Sequence, residues 1–281
     1  MYVSILTTVY EKGEIFDAFL KHLVRQLVNS SELIVIDDGS TFNHYDYIKK
    51  YQHYLNDSVK IIYEKIDHFG FTGIGKAFNY ALSKAKGEKI VMLSSDILLL
   101  PDALLFLINT LKDPLQIVVG NVIGSDLKYR DKLLKCNSFE LFNFFNQIKN
   151  ERFSPYGFDE SYIMLPLPFC LCCYKDLLLD LNGFDESYEV NSFDDTEFAV
   201  RMLANITKLT KHYLAKGIHV YHADFPTYKT GGLQNLDKFN NLCKKYGCNK
   251  EYDAKHISDS ARYIFNTIFK GEIEYLYKGH K

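Results

Sequence analysis

The chain has 281 residues, a formal net charge of -2 and a hydrophobic content of 47%. This composition can form a sizeable core, so it excludes an intrinsically disordered chain. The nearly balanced charge gives no whole-surface electrostatic reason to bind nucleic acid, and we predict no nucleic-acid partner.

The first part of the chain alternates apolar strands with amphipathic helices. Short connections between such elements predict an α/β fold with a mostly parallel central sheet and helices on both faces. Ligands of these sheets bind at the carboxyl ends of the strands. The predicted strands are residues 2–9, 32–36, 59–63 and 88–93, and the predicted helices are residues 15–27 and 76–84.

The later part is less regular, with strands predicted at 117–122, 165–174 and 218–222 and helices at 139–149 and 196–205. We predict that residues 1–122 bind a nucleotide, and that residues 123–230 complete the same domain with the acceptor-binding and catalytic part. Residues 231–281 are predicted to form a C-terminal helical extension of two helices.

The cysteines and the apolar runs indicate the cellular compartment of the protein. Three of the six cysteines crowd into residues 169–174 without paired C-x-x-C spacing, which favours core thiols in a reducing compartment. No apolar run reaches the length of a membrane span, and the N-terminus shows no leader pattern. We therefore expect a soluble cytoplasmic protein, with peripheral membrane contact left open.

Two polar motifs follow predicted strands and could meet a nucleotide. In Asp37-Asp38-Gly39-Ser40, a strand-end carboxylate can accept hydrogen bonds from a base or a ribose; the alternative is a plain Asp-Gly turn. The second motif, Ser94-Ser95-Asp96, ends another strand. A hard divalent ion that bridges a diphosphate needs only one or two protein carboxylates, so Asp96 fits that role. The alternative for Asp96 is a helix cap or turn.

A glycine-containing loop precedes the helix that begins near Lys76. It lacks the G-x-G-x-x-G spacing because Phe78 stands where the third glycine would be, so we exclude a dinucleotide fingerprint and a P-loop. Lys76 could meet a diphosphate, or it could simply be a solvated lysine. His222, at the end of the last predicted strand, could complete the metal shell of Asp96.

An acidic pair, Asp194-Asp195, opens a helix shortly after the turn Gly183-Phe184-Asp185-Glu186. Carboxylates at a helix start are held rigidly by the free N–H groups and the helix dipole, which suits a general base. The alternative is that the pair only caps the helix.

Taken in this order, the motifs resemble the inverting family 2 glycosyltransferases with a GT-A fold. Over residues 1–225 the chain is especially similar to bacterial capsule-type polymerases and galactosyltransferase-like enzymes. The resemblance implies transfer of a sugar from a nucleotide diphosphate sugar, such as a UDP-sugar, to an acceptor hydroxyl with inversion. It also implies Mn²⁺ or Mg²⁺ as cofactor and a place in surface glycan or polysaccharide synthesis.

The resemblance assigns a role to each motif. Asp195 would be the catalytic base, Asp194 would contact the acceptor, and Asp96 and His222 would hold the metal. The donor would be bound by the remaining polar residues of the motifs, namely Thr7, Thr8, Asp37, Asp38, Lys76, Asn79, Ser94 and Ser95.

Three positions depart from the family pattern. Ser94 replaces the first Asp of Asp-x-Asp, Phe78 stands where an Arg often precedes the Asn, and Asp194 replaces the usual Glu. The Ser94 difference keeps open a catalytically silent module that binds a nucleotide sugar or glycan. A nucleotidyltransferase is the third candidate.

The C-terminal helices could contact a membrane surface or a second copy of the chain, or they could simply pack against the rest of the domain.

Overall fold

The computed structural model describes residues 2–67, 74–148, 166–188, 193–221, 235–253 and 256–277. One half of its sheet consists of four parallel strands in the order β3-β2-β1-β4. Strands β1, β2 and β4 are buried along almost their whole length, because helices cover both faces. The four strands are β1 (Val3–Val9), β2 (Ser31–Asp37), β3 (Val59–Lys65) and β4 (Lys89–Leu93).

The other half of the sheet is mixed. Strand β7 (Cys170–Tyr174) runs antiparallel to β4 and to β6 (Gln116–Gly124), and β8 (Lys208–His219) runs parallel to β6. Strand β5 (Ile97–Leu99) is antiparallel to β8. The sheet is therefore parallel in its N-terminal half and mixed beyond β4, and β8 begins ten residues before the predicted strand at 218.

The helices lie on both faces of this sheet, as predicted. Successive strand residues enter two different cores: Ile5 and Leu33 pack on one face, whereas Leu6 and Ile34 pack on the other. The helices are α1 (Gly13–Leu23), α2 (Tyr45–Tyr51), α3 (Gly75–Lys84), α4 (Ala103–Thr110), α5 (Arg130–Lys135), α6 (Ser138–Ile148), α7 (Lys175–Asp180), α8 (Asp194–Asn205), α9 (Leu236–Lys245) and α10 (Ile257–Ile268), with 3₁₀ turns at Val24–Gln26, Gln52–Tyr54 and Leu127–Tyr129.

The C-terminal segment contains the two predicted helices, α9 and α10, and also a strand that the sequence interpretation missed. Strand β9 (Glu272–Leu276) pairs in parallel with β8 and so joins the central sheet. Because β4, β6 and β7 also belong to one sheet, the proposed parts 1–122 and 123–230 share their main structural element. Their boundaries stay a prediction.

The six cysteines are buried. Three of them line β7, where burial raises the pKa of the Cys170 and Cys172 thiols to about 12. Within the described residues, no helix combines the length and the apolar character needed to cross a bilayer.

Candidate active site

The carboxyl ends of β1, β2 and β4 meet at one edge of the sheet. The Ser95 hydroxyl, just beyond β4, donates to the Thr8 carbonyl at 2.6 Å, and the Asp38 N–H donates to the Val9 carbonyl at 2.9 Å. These bonds hold the polar loops that follow β2 and β4 against the last residues of β1. The predicted Asp37-Asp38 and Ser94-Asp96 motifs therefore lie along the same edge.

Asp37 is fully buried and hydrogen-bonded by three protein groups. Its carboxylate accepts from the Ser40 N–H at 2.9 Å and the Tyr63 hydroxyl at 2.8 Å, and its Oδ2 lies 2.7 Å from His44 Nδ1. Burial alone would raise the pKa of Asp37, but the hydrogen bonds from His44, Ser40 and Tyr63 outweigh it and leave this pKa lowered. In this arrangement the carboxylate shapes the turn after β2, and its predicted contact with a nucleotide stays a prediction.

The loop after β1 is fastened to that same turn. The Glu11 N–H donates to the Ser40 hydroxyl at 2.9 Å, and the Glu11 carboxylate accepts from the Thr41 N–H at 2.5 Å. Glu11 has a φ of 51°, in the left-handed region that a non-glycine residue adopts only when its surroundings impose it. The backbone of the next residue, Lys12, is thus fixed at the start of α1.

Lys12 reaches across this edge to Asp96. Its Nζ lies 2.6 Å from Asp96 Oδ2, and the two side chains are only 12% and 5% exposed. His219 approaches the same oxygen, with Nε2 at 3.6 Å from Oδ2. The predicted metal-binding carboxylate is therefore buried among two other chemically active side chains.

His219 owes this position to the register of the sheet. It pairs with Ile97, the residue after Asp96, and the Val220 N–H donates to the Asp96 carbonyl at 2.9 Å. Strand alternation sends the neighbouring Ile218 and Val220 into the core, which leaves the imidazole on the other face. The predicted ligand His222 lies outside the described residues.

Asp96 and His219 could share a divalent ion. Across the described ranges, no cluster of three or more His, Cys, Asp or Glu side chains is placed to hold one. A hard ion that is coordinated mainly by diphosphate and water oxygens needs only one or two protein ligands. A carboxylate with a nearby imidazole therefore fits such an ion. Ser94, two residues before Asp96, is partly exposed and adds a neutral hydroxyl.

The Gly-Phe-Asp-Glu turn is held by the side chain of Asn79. The amide accepts from the Phe184 N–H at 2.8 Å and donates to the Phe184 carbonyl and the Glu186 carboxylate at 3.0 and 2.8 Å. Gly183 has a φ of 61°, and a Cβ there would lie 2.2 Å from Asn79 Oδ1, so only glycine fits this turn. The contacts give Asn79 a positioning role, and its contact with a donor stays a prediction.

The same turn is bound to α8 from the other side. Arg201 donates to the carbonyls of Leu181 and Gly183 at 2.8 Å each, and it forms a two-pronged ion pair with Glu197. The rings of Phe184 and Phe198 stack with centroids 4.1 Å apart. The turn, α3 and α8 are thereby joined into one unit.

Asp194 and Asp195 stand at the first two positions of α8. Asp194 is buried, and its Oδ2 accepts from the Ile74 N–H at 3.0 Å. Asp195 keeps part of its surface exposed and accepts from the Thr196 N–H at 2.6 Å. Burial and the adjacent Asp195 carboxylate raise the pKa of Asp194, and burial raises the pKa of Asp195 against the Thr196 hydrogen bonds.

The bond from Ile74 places the acidic pair relative to the sheet. Ile74 lies between the carboxyl end of β3 and the start of α3, so Asp194 is tied to the edge from which the Asp37-Asp38 and Ser94-Asp96 loops emerge. A carboxylate pair with raised pKa values is a stronger proton acceptor than an ordinary aspartate. A separate carboxylate paired with an ammonium can attract a phosphate or a cation.

The remaining predicted residues are distributed unevenly along this edge. Thr8, Asp38, Lys76 and Ser94 are partly exposed, whereas Thr7 and Ser95 are completely buried. Within the described part of the chain the Thr7 hydroxyl has no hydrogen-bond partner. All donor-binding assignments stay predictions.

Sequence reasoning missed Lys12, His219 and Arg201. The alternation of Ile218-His219-Val220 offered a signal for His219, because it separates the imidazole from two core residues. Lys12 and Arg201 offered no local signal, because a lysine in a loop and an arginine on a helix are ordinary surface residues in sequence.

A mixed sheet with acidic loops at its carboxyl edge and helices on both faces is the arrangement of the GT-A glycosyltransferase structures. The chain belongs to glycosyl transferase family 2, whose model matches residues 4–165, more than half of its length. A curated relative is the glycosyltransferase GlyG of Streptococcus pneumoniae, 26% identical over 129 residues. That match covers 44% of this chain and 40% of the relative, so the chain spans less than half of that protein.

Two solved structures show the same fold. TarS 1-349 of S. aureus in complex with UDP-GlcNAc is 18% identical, with a TM-score of 0.64, 95% of this chain covered and 72% of the TarS chain. The mannosyltransferase PcManGT of Pyrobaculum calidifontis in complex with GDP-Man and Mn²⁺ is 17% identical, with a TM-score of 0.60 and coverages of 93% and 69%. The predicted family and fold are confirmed.

We predict that Asn79→Ala destabilises the protein by about 1–3 kcal/mol, because the backbone groups of Phe184 lose their partner in a tightly packed turn. Urea unfolding curves with an unchanged m value measure the loss. The control is Asn205→Ala, whose exposed amide makes one bond to the Arg201 carbonyl and should cost about 0.5 kcal/mol or less. Equal losses in both variants would contradict the assigned role.

Proposed function

We propose that this protein transfers a sugar from a nucleotide diphosphate sugar to an acceptor hydroxyl with inversion at the anomeric carbon. The observation that carries the proposal is the hydrogen bond from Ile74 to Asp194. It ties a carboxylate pair suited to proton transfer to the sheet edge that holds Asp96. Family membership supports the reaction class, and the alternatives of a silent module or a nucleotidyltransferase gain no support from these contacts.

Asp195 is the proposed general base. It keeps part of its surface exposed, and Thr196 orients one of its oxygens. Its raised pKa makes it a stronger base than an ordinary aspartate. Removal of the acceptor proton by Asp195, as the acceptor attacks the face opposite the leaving diphosphate, would invert the anomeric centre.

Asp194 is proposed to hold the acceptor side of the site in place. Its carboxylate is buried against the Ile74 N–H, and its charge raises the proton affinity of the pair as a whole. We further propose that Asp194 contacts the acceptor directly. The two carboxylates titrate jointly, so the pair supplies the base.

Asp96 and His219 are proposed to hold Mn²⁺ or Mg²⁺, with His222 as a further candidate ligand. Such an ion, when bound, neutralises charge that develops on a leaving diphosphate. This chain provides the carboxylate and the imidazole on one side of the site, and Lys12 adds an ammonium beside them. PcManGT is a fold neighbour whose complex contains Mn²⁺.

The donor is proposed to be a UDP-sugar that lies along the carboxyl edge of β1, β2 and β4. Thr8, Asp38 and Lys76 are the partly exposed candidates to contact it. TarS was solved with UDP-GlcNAc, which supports a uridine nucleotide without fixing the sugar. Surface glycan or polysaccharide synthesis in the cytoplasm, with a peripheral membrane contact or a homo-oligomer through the C-terminal helices, completes the proposal.

We expect Asp195→Asn to lower the rate of transfer by at least about 100-fold, because an amide cannot accept the acceptor proton. Coupled detection of released nucleoside diphosphate measures turnover. Donor binding should be nearly intact, as shown by an unchanged thermal shift with the donor. Asp185→Asn, which changes a partly exposed aspartate of the preceding turn, is the matched control and should keep its activity. Near-native turnover of Asp195→Asn would refute the assignment.

The raised pKa values predict the pH dependence of turnover. A base must be deprotonated, so activity falls as the pH drops through the raised pKa of the pair. The acid limb of the kcat profile should therefore lie above the ~3.9 of an ordinary aspartate. Asp194→Asn should move this limb to lower pH, because it removes the neighbouring negative charge. A limb at the same pH in both proteins would contradict joint titration.

A thermal-shift screen of nucleotide sugars, run with Mn²⁺ and with EDTA, tests the donor and the metal together. A donor present at 100 times its Kd should stabilise the protein by about 2.7 kcal/mol, and we expect this only with Mn²⁺. Transfer should stop in EDTA and return with Mn²⁺. Full activity without any divalent ion would show that Asp96 is not a metal ligand.

A further inference from the structure

The side chain of Lys12 occupies a cation position at Asp96. Its ammonium is in contact with Asp96 Oδ2 at 2.6 Å, and both groups are almost completely withdrawn from solvent. The backbone beneath it is fixed, since the Lys12 carbonyl accepts from the Ile15 N–H at 2.8 Å and Glu11 is fastened to Ser40 and Thr41. The ion pair is therefore a buried and fixed feature of the site rather than a surface pair between mobile side chains.

We propose that Lys12 competes with the divalent cation for Asp96, so that this protein holds the ion weakly unless a nucleoside diphosphate accompanies it. The inference rests on the proposed function, because it concerns the same donor site. It goes further by giving a role to a residue outside every motif: Lys12 couples metal affinity to the presence of a diphosphate.

The first argument is electrostatic. An ammonium at Asp96 Oδ2 competes with a divalent ion for the charge of this carboxylate, and in a poorly solvated site the repulsion between the two cations is strong whichever oxygen the ion ligates. Asp96 and Lys12 together carry no net charge, and Ser94 adds a hydroxyl instead of a second carboxylate. The His219 imidazole, which approaches the same oxygen, brings no negative charge either. Asp96, Lys12, Ser94 and His219 together therefore attract a divalent ion only weakly.

A diphosphate removes this obstacle. It supplies negative oxygens that can ligate the ion, and it offers the ammonium a new partner. Lysine has a compact charge on a flexible stem, so its Nζ can turn from Asp96 to a phosphate oxygen without moving the anchored backbone. Since coupling between two ligands is reciprocal, the diphosphate should raise the affinity for the ion, and the ion should raise the affinity for the diphosphate equally.

The test measures Mn²⁺ binding to the whole chain without nucleotide, from the electron paramagnetic resonance signal of free Mn²⁺. We expect Lys12→Met to bind Mn²⁺ at least about tenfold more tightly than the unmodified protein, within the range usual for coupled sites. The control is Lys50→Met, which breaks the exposed Lys50–Asp17 pair and removes the same charge, and it should leave the affinity unchanged. Adding Asp96→Asn to Lys12→Met should abolish the gain.

The second measurement repeats the titration with UDP. The unmodified protein should then bind Mn²⁺ much more tightly, whereas Lys12→Met should gain less, because its competing charge is already absent. Lys12→Gln repeats both titrations with a neutral side chain that can still donate to Asp96, and it serves if Lys12→Met does not fold.

Equal Mn²⁺ affinity in the unmodified protein and the folded Lys12 variants would overturn the inference, as would the absence of Mn²⁺ binding in all of them. These readouts need no turnover, so they separate this inference from the proposed function. Unchanged affinity together with donor-dependent transfer overturns only the competition by Lys12. A tenfold gain in a protein that transfers no sugar overturns only the proposed reaction.

Discussion

The structure of the site depends on the hydrogen bonds that join α8 and its preceding turn to α3. Ile74 donates to Asp194 across 120 residues of sequence, and Asn79 binds Phe184 across 105. Arg201 and the stacked phenylalanine rings close the same unit from the other side. Without these contacts, the acidic pair would stand at the start of an ordinary amphipathic helix with no fixed relation to the sheet edge.

The two acidic centres of this edge differ in what surrounds them, and this difference divides the proposed chemistry. Asp96 meets an ammonium at contact distance, which compensates its charge. Asp194 and Asp195 meet each other and backbone N–H groups, so their burial is only partly compensated and their pKa values rise. One centre is thus suited to binding a phosphate together with its cation and the other to accepting a proton, a separation that environment alone can impose on chemically identical groups.

The predictions from sequence succeeded where burial follows a simple period. Apolar runs mark β1, β2 and β4, and the helical spacing of α3 and α8 was visible in the sequence. Strand β8 was predicted only at its end, because its first half carries Thr210, Lys211 and His212, which are polar and yet buried. Thr210 is satisfied by Gln116 and by Glu274 of β9, partners that no local pattern reveals. Strand β9 was missed because its pairing with β8 is likewise a distant contact that no local pattern reveals.

The sequence by itself determined the alternation of strands and helices in the first part of the chain and the acidic motifs that end the strands, because these follow from local periodicity and short spacings. The family followed from the resemblance of those motifs, in their order along the chain, to a known pattern. The tertiary structure alone decided which side chains meet. Lys12 lies beside Asp96, 84 residues away, and strand register brings His219 to the same carboxylate. The tertiary structure also brings the Asn79 side chain into hydrogen-bond contact with the Gly-Phe-Asp-Glu turn. Such contacts are set by sheet register and helix packing, and the sequence around each partner does not predict them.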